Sequence, residues 1–247
     1  LPDSLGGARA GDSRGEPIRT GDATDRARAR PLPSAEQLAA NWPRFRGADG
    51  SGVSDLDDLP LQWDETSGRG VRWKVPVDLP GASSPIVWGD RVFVTGADAR
   101  KRALYAFDAR TGALAWQHDC GRIPGRSPQK PNAFRSLGFA APTPATDGIR
   151  VYAVFANGDL VATDMLGERI WARRLGCPEN EWGFASSLVV WRTKLYVLLD
   201  QRKRNPLVSQ LLALDTATGE TRWVKERDVR GSWTTPLIVD AGLKSVL

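Results

Sequence analysis

Leu104-Tyr-Ala-Phe-Asp-Ala-Arg-Thr-Gly-Ala-Leu-Ala-Trp116 decides the fold, because its order of apolar strand, Asp, turn, Gly and Trp returns twice downstream. The pattern recurs as Leu160-Val-Ala-Thr-Asp-Met-Leu-Gly-Glu-Arg-Ile-Trp171 and as Leu211-Leu-Ala-Leu-Asp-Thr-Ala-Thr-Gly-Glu-Thr-Arg-Trp223. Each copy reads as a β-hairpin. An alternating strand ends at Asp108, Asp164 or Asp215, whose carboxylate accepts turn N–H groups, and Gly112, Gly167 or Gly219 supplies the positive-φ position before the next strand. In every copy the Trp follows that Gly at the same spacing, so Trp116, Trp171 and Trp223 project from the same face of equivalent strands.

Working outward, a pair of short strands precedes each hairpin: Ser84-Pro-Ile-Val-Trp-Gly-Asp-Arg-Val-Phe-Val94, Thr143-Pro-Ala-Thr-Asp-Gly-Ile-Arg-Val-Tyr-Ala153 and Ser187-Leu-Val-Val-Trp-Arg-Thr-Lys-Leu-Tyr-Val197. Thr235-Pro-Leu-Ile-Val239 opens a fourth pair. Four antiparallel strands in roughly 50 residues is the period of a propeller blade and not of a helical solenoid. The fold expected is therefore all-β, an incomplete β-propeller with blades over 83–119, 140–174 and 185–226 and part of a fourth from 233. Since propellers close with four or more blades, the sequence is expected to be the N-terminal part of a longer ring. Val71-Arg-Trp-Lys-Val-Pro-Val77 matches an outer strand, with Trp73 standing where the repeat Trp stands; with no inner strands before it, it is expected to be unpaired or loosely docked.

The combination Ala-x-Asp-x-x-Thr-Gly-x-x-x-Trp, complete at 106–116 and 213–223, resembles the repeat of the pyrroloquinoline-quinone (PQQ)-like β-propellers, with Trp residues that dock blade on blade. That superfamily includes quinoprotein dehydrogenases and the propeller lipoprotein of outer-membrane assembly. Asn41-Trp-Pro-Arg-Phe-Arg-Gly-Ala-Asp-Gly-Ser-Gly-Val-Ser54 and Ser232-Trp-Thr-Thr-Pro236 are similar to a bacterial, exported branch of the family. The resemblance covers residues 41–247 and implies a periplasmic or secreted protein; no signal peptide and no transmembrane-length apolar run is present in the sequence itself.

Residues 1–40 form a separate N-terminal segment. Residues 1–33 carry almost no large apolar groups and are expected to be disordered, because burial cannot offset their ordering entropy. Ser34-Ala-Glu-Gln37 has the capping-box arrangement and predicts a short helix near 35–40. Trp42, Phe45 and the glycines that follow predict an irregular loop pinned by aromatics against the first blades.

Chemistry is scarce in this sequence. With one His and two Cys, neither a nucleophile–base set nor a metal-ligand spacing appears, and the repeated Asp residues are turn formers. Cys120 and Cys177 follow the repeat Trp at nearly equivalent places on neighbouring blades and are expected to be free thiols; His118 is expected on an exposed outer strand. The quinoprotein dehydrogenases hold PQQ against a Trp beside a vicinal Cys pair, with calcium bound by Glu, Asn and Asp. No such pair is present, so neither cofactor nor metal is expected unless the dehydrogenase alternative holds.

The leading reading is a non-catalytic binding or scaffolding module, with part of a PQQ-dependent dehydrogenase as the alternative. Strands alternate in direction, so the loops joining second to third strands open on the same face as the blade-to-blade connections. Those loops carry Arg100, Lys101 and Arg102, then Arg202, Lys203 and Arg204, with Arg122, Arg126, Lys130 and Arg135 between the first two blades. The net charge of +5 suits either a basic rim that attracts a protein or anionic polymer, or a solvated Arg-rich surface. No nucleic-acid motif accompanies it.

Overall fold

The computed structural model describes residues 15–22, 25, 30–56, 59–123, 131, 138–202, 209–240 and 245–246. Three four-stranded antiparallel blades dominate it. The first comprises β2 (Ile86–Trp88), β3 (Arg91–Ala97), β4 (Arg102–Asp108) and β5 (Leu114–Asp119); the second β6 (Ala145–Thr146), β7 (Arg150–Val154), β8 (Asp159–Asp164) and β9 (Arg169–Arg174); the third β10 (Val189–Trp191), β11 (Lys194–Leu199), β12 (Ser209–Asp215) and β13 (Thr221–Arg227). Strands β14 (Val239–Asp240) and β15 (Ser245–Val246) pair as the opening hairpin of a fourth unit. These are the blades the repeat predicts.

Local geometry explains the repeated residues. The Asp108 carboxylate accepts N–H groups from Arg110 and Thr111, Asp164 from Leu166 and Glu168, and Asp215 from Ala217 and Thr218, all at 2.8–3.0 Å. The small residue two places before each Asp lies directly opposite the Trp: Ala106 faces Trp116, Ala162 faces Trp171 and Ala213 faces Trp223, each followed by the same register shift. The Trp then reaches into the next blade. Trp73 donates its indole N–H to the Ala109 carbonyl (2.9 Å), Trp116 to Met165 (3.0 Å) and Trp171 to Thr216 (3.0 Å). Its ring covers the glycine of that next turn; a Cβ at Gly112, Gly167 or Gly219 would stand 2.6–2.7 Å from it. The glycine is thus required both by positive φ and by the close approach of an indole.

Near the axis the blades are joined differently. Ser84 N–H donates to Thr143 Oγ1 (3.1 Å), Thr143 N–H to Ser187 Oγ (3.0 Å) and Ser187 N–H to Thr235 Oγ1 (3.2 Å). One hydroxyl per unit therefore satisfies an inner-strand amide of the preceding unit. Between these inner and outer joints lie the apolar cores, one centred on Phe93, Leu104 and Phe155, the other on Tyr152, Trp171, Leu195 and Leu212.

Helix α1 (Ala35–Ala39) carries both halves of the capping box, Gln37 N–H to Ser34 Oγ and Ser34 N–H to Gln37 Oε1. Residues 71–77 pair with no strand, as expected, and dock through the Trp73 indole and through Val75 and Leu79 packed beside Tyr105. One expectation needs correction. Within 1–33, expected to be disordered, β1 (Ile18–Arg19) adds a fifth strand to the second blade outside β9. Ile18 is the large apolar group that composition undervalued, since it finds a core to pack on.

Candidate functional site

Each blade has two ends, and the structure treats them differently. At the end bearing the first-to-second-strand turns, the lead-in motif lies along the inner edges. Trp42 exchanges backbone hydrogen bonds with Val87, Asn41 Oδ1 accepts the Gly89 N–H, and Pro43 C=O accepts the Thr146 N–H. A Cβ on Gly50 would meet Leu237 of the fourth unit at 2.7 Å. Arg44 is buried, donating to the Gly47 and Ala48 carbonyls, and its burial pushes the guanidinium below its ordinary pKa against the opposing pull of Asp49. The motif is a structural lining here, as the aromatic-pinned loop predicted.

The opposite end holds those residues of the expected basic rim that the structure describes, Arg100, Lys101, Arg102, Arg122 and Arg202. Contacts place its loops on one face: Arg102 meets Asp159, Phe184 N–H bonds the Ala156 carbonyl, and Arg202 N–H bonds the Glu179 carbonyl. Much of the described charge is internally matched. Arg102 lies in β4 and not in the loop, with Nε 2.9 Å from Asp159 Oδ2; Arg174 of β9 stands 3.2 Å from Oδ1 of the same, fully buried carboxylate. Arg202 pairs with Glu181 (2.6 Å), Arg122 with Asp119 (3.2 Å), and Arg227 reaches both oxygens of buried Asp200 at 2.6 and 2.9 Å. Arg100 and Lys101 are exposed on a turn that Asp98 organises, in no ion pair among the described residues. Arg126, Lys130, Arg135, Lys203 and Arg204 lie outside the described residues.

Asp159 and Asp200 are what sequence reading missed. They sit at the same end of the middle strands of their blades, Asp159 opening β8 and Asp200 following β11. A spacing signal existed, since each is placed to face an Arg at the end of an outer strand. Near Asp200, the indoles of Trp182 and Trp233 meet edge to face at 5.9 Å, with Trp233 partly exposed. Ser232 Oγ, next to that pair, donates to Asp200 Oδ2 (2.8 Å).

Residues 53–243 match the family described as "Outer membrane protein assembly factor BamB". The chain belongs to that family. Among curated relatives, the outer membrane protein assembly factor BamB of Salmonella typhimurium is 27% identical over 168 residues, covering 68% of this chain and 37% of its own length. The polyvinylalcohol dehydrogenase of Sphingopyxis sp. is 23% identical over 190 residues, 73% of this chain and 26% of that protein. This BamB-family chain thus spans well under half of either relative. Among solved structures, the quinohemoprotein alcohol dehydrogenase from Comamonas testosteroni superposes with a TM-score of 0.59 at 18% identity, over 83% of this chain and 30% of that one; the likeness is of fold.

The resemblance to quinoprotein dehydrogenases raises the question of a quinone with calcium. In this BamB-family chain the buried carboxylates already have partners: Asp159 the two arginines, Asp200 Arg227 and Ser232, and Asp147 Arg150 and the Tyr152 hydroxyl (2.7 Å). No group of three His, Cys, Asp or Glu side chains among the described residues is placed to share a metal ion. Both cysteines are free, and burial holds their thiols protonated, pushing Cys177 up to about 11 and Cys120 further.

Proposed function

We propose that this chain is a non-catalytic binding or scaffolding propeller, exported to the periplasm, that holds a protein partner on the face carrying the second-to-third-strand loops. One observation supports the reading: the buried acids on that face are already engaged by arginines, Asp159 by Arg102 of the first blade and Arg174 of its own, and Asp200 by Arg227 of its own, so these charged groups hold the blades and are committed to structure. The opposite end of the inner strands is lined by the lead-in motif, which leaves the loop face as the surface for contact. BamB being an assembly factor of the outer membrane, the cell envelope is the setting that the family favours. Among the described rim residues, attraction for anions rests on Arg100 and Lys101, and exposed charges of this kind act within a Debye length of about 8 Å at physiological salt.

The test is a titration with PQQ and calcium. No saturable binding and no alcohol-dependent dye reduction is the expected result. Micromolar binding with turnover would instead establish the second reading, part of a quinone-dependent dehydrogenase, which the likeness to polyvinylalcohol dehydrogenase favours. Retention on an anionic matrix, compared between the native protein and a variant with Arg100 and Lys101 changed to Ser, tests the charged part of the face. Equal retention of the two removes Arg100 and Lys101 from it.

A further inference from the structure

The outer strand of a blade exposes a row of unpaired backbone groups, and charged side chains along it are the usual guard against pairing with another chain. The second blade departs from this. In β9 the arginines are drawn inward: Arg169 Nη1 donates to the Arg122 carbonyl, Arg173 Nη1 to the Gly219 carbonyl and Thr221 hydroxyl, and Arg174 to the Ile123 carbonyl. Ile170, Trp171 and Ala172 between them are fully buried. The edge of β9 is covered by a strand: Ile18 lies opposite Ala172, Arg19 opposite Trp171, and Thr20 N–H donates to the Ile170 carbonyl at 2.9 Å.

That strand is held lightly. It is two residues long, far below the usual five or six, and its side-chain anchors are a half-buried Ile18 on the core of the first two blades and an exposed ion pair from Arg19 to Glu220 of the third blade. An exposed pair of this kind contributes at most about 1 kcal/mol. What makes the site selective is its pair of subsites: an apolar patch under Ile18 and, one residue on, a carboxylate for a cation.

We propose that the outer edge of the second blade is a strand-addition site, kept closed by the chain's own residues 15–20, and that it accepts from a partner an extended segment reading aliphatic residue, then basic residue. Addition of an extended segment to a sheet edge takes its affinity from backbone hydrogen bonds and its specificity from alternate side chains, and both are provided for here. The resident strand acts as an internal competitor, so a partner binds when it outcompetes or displaces residues 15–20.

Amide exchange at Ala172 in the full chain tests this. Thr20→Pro removes the donor to the Ile170 carbonyl and should speed Ala172 exchange roughly tenfold or more, with the thermal midpoint nearly unchanged because the blades do not depend on β1. Adding the peptide Gly-Glu-Pro-Ile-Arg-Thr in excess to that variant should restore protection, and a scrambled peptide should not. Glu220→Lys, which leaves the backbone alone, should weaken the rescue several-fold, and a peptide with Glu in place of the Arg should recover it. Unchanged Ala172 exchange in Thr20→Pro, or equal rescue by the scrambled peptide, would overturn the proposal. So would protection in the native protein that rises with its concentration, which would make a second copy the occupant.

Discussion

Trp171 and Trp223 end the same hairpin motif, opposite the same alanine, yet Trp171 is 0% exposed and Trp223 36%. The difference lies outside the motif. Trp171 donates to Thr216, covers Gly219 and packs on Tyr152, all of which the neighbouring blade or its own inner strands supply; Trp223 has Tyr196 of its own blade beside it, and no turn of a following unit covers it among the described residues. A repeat therefore sets where a Trp points, while its energetic weight is conferred by the next unit.

The strongest way to break this comparison is to truncate both. Trp171→Ala should cost about 3–5 kcal/mol, in the range for a fully buried aromatic, since it opens a cavity in a close-packed seam and removes the indole donor to the Thr216 carbonyl. Trp223→Ala should cost less, about two-thirds of that, because about a third of its surface is already in water. Equilibrium denaturation of the two variants decides. Equal losses would mean that the hairpin itself, and not the next blade, stabilises the indole.

The same logic applies to charges on the loop face. Asp159→Asn leaves Arg102 and Arg174 facing a neutral amide inside a seam and should cost about 3 kcal/mol, the low end for breaking a buried pair, since both guanidiniums keep a partly solvated edge. Glu181→Gln removes the partner of Arg202, where the side chains are 51% and 65% exposed, and should cost under about 1 kcal/mol. Comparable effects would erase the distinction drawn between jointed and solvated arginines.

These contrasts also explain what sequence could and could not convey. Strand period, turn Asp, positive-φ Gly and Trp spacing are local properties, and each of the three blades falls where Leu104–Trp116 and its copies place it. The hydroxyl series of Ser84, Thr143, Ser187 and Thr235 was present as the first residue of each paired-strand segment, but its purpose needs the blade beside it. Partner choice was not legible: Arg102 reads as a loop cation until Asp159, from another blade, is brought to it. Ile18 likewise looks lost among polar residues, because composition averages over a stretch of which one residue finds a core. His118, read as a surface residue, is half-buried beside Gly167 and Arg169 of the second blade.

Glycine substitutions sharpen the comparison at smaller scale. Gly219→Ala places a methyl group 2.7 Å from the Trp171 ring at φ +73°, so strain in the left-handed region and overpacking against a rigid indole add, for about 2–4 kcal/mol in total. Gly176→Ala has a similar φ of +82° but open space around it, which leaves the conformational part alone, about 1–2 kcal/mol. If the two melt alike, the indole gives way and the close approach is not a constraint.

The smallest expected effect is a pH dependence at the first seam. Burial, then the nearby Arg169, pulls the His118 imidazole below its ordinary pKa, partly opposed by the Gly167 backbone and Asp119. The folded protein thus binds a proton at His118 less readily than the unfolded chain, whose value is about 6.5. By linkage, the contribution of this group to stability is fully present above that pH and declines as pH falls toward the lower folded value. His118→Gln keeps a polar side chain without a titrating group, so its stability between about pH 7 and 5 should be flatter than that of the native protein. Denaturation midpoints over that window provide the check, and the window lies above the range in which the turn carboxylates Asp108 and Asp215, both held below their ordinary values, take up protons. Parallel curves for the two proteins would place the imidazole in water and remove His118 from the seam, whereas convergence below pH 6 would tie it to the packing of the first blade on the second.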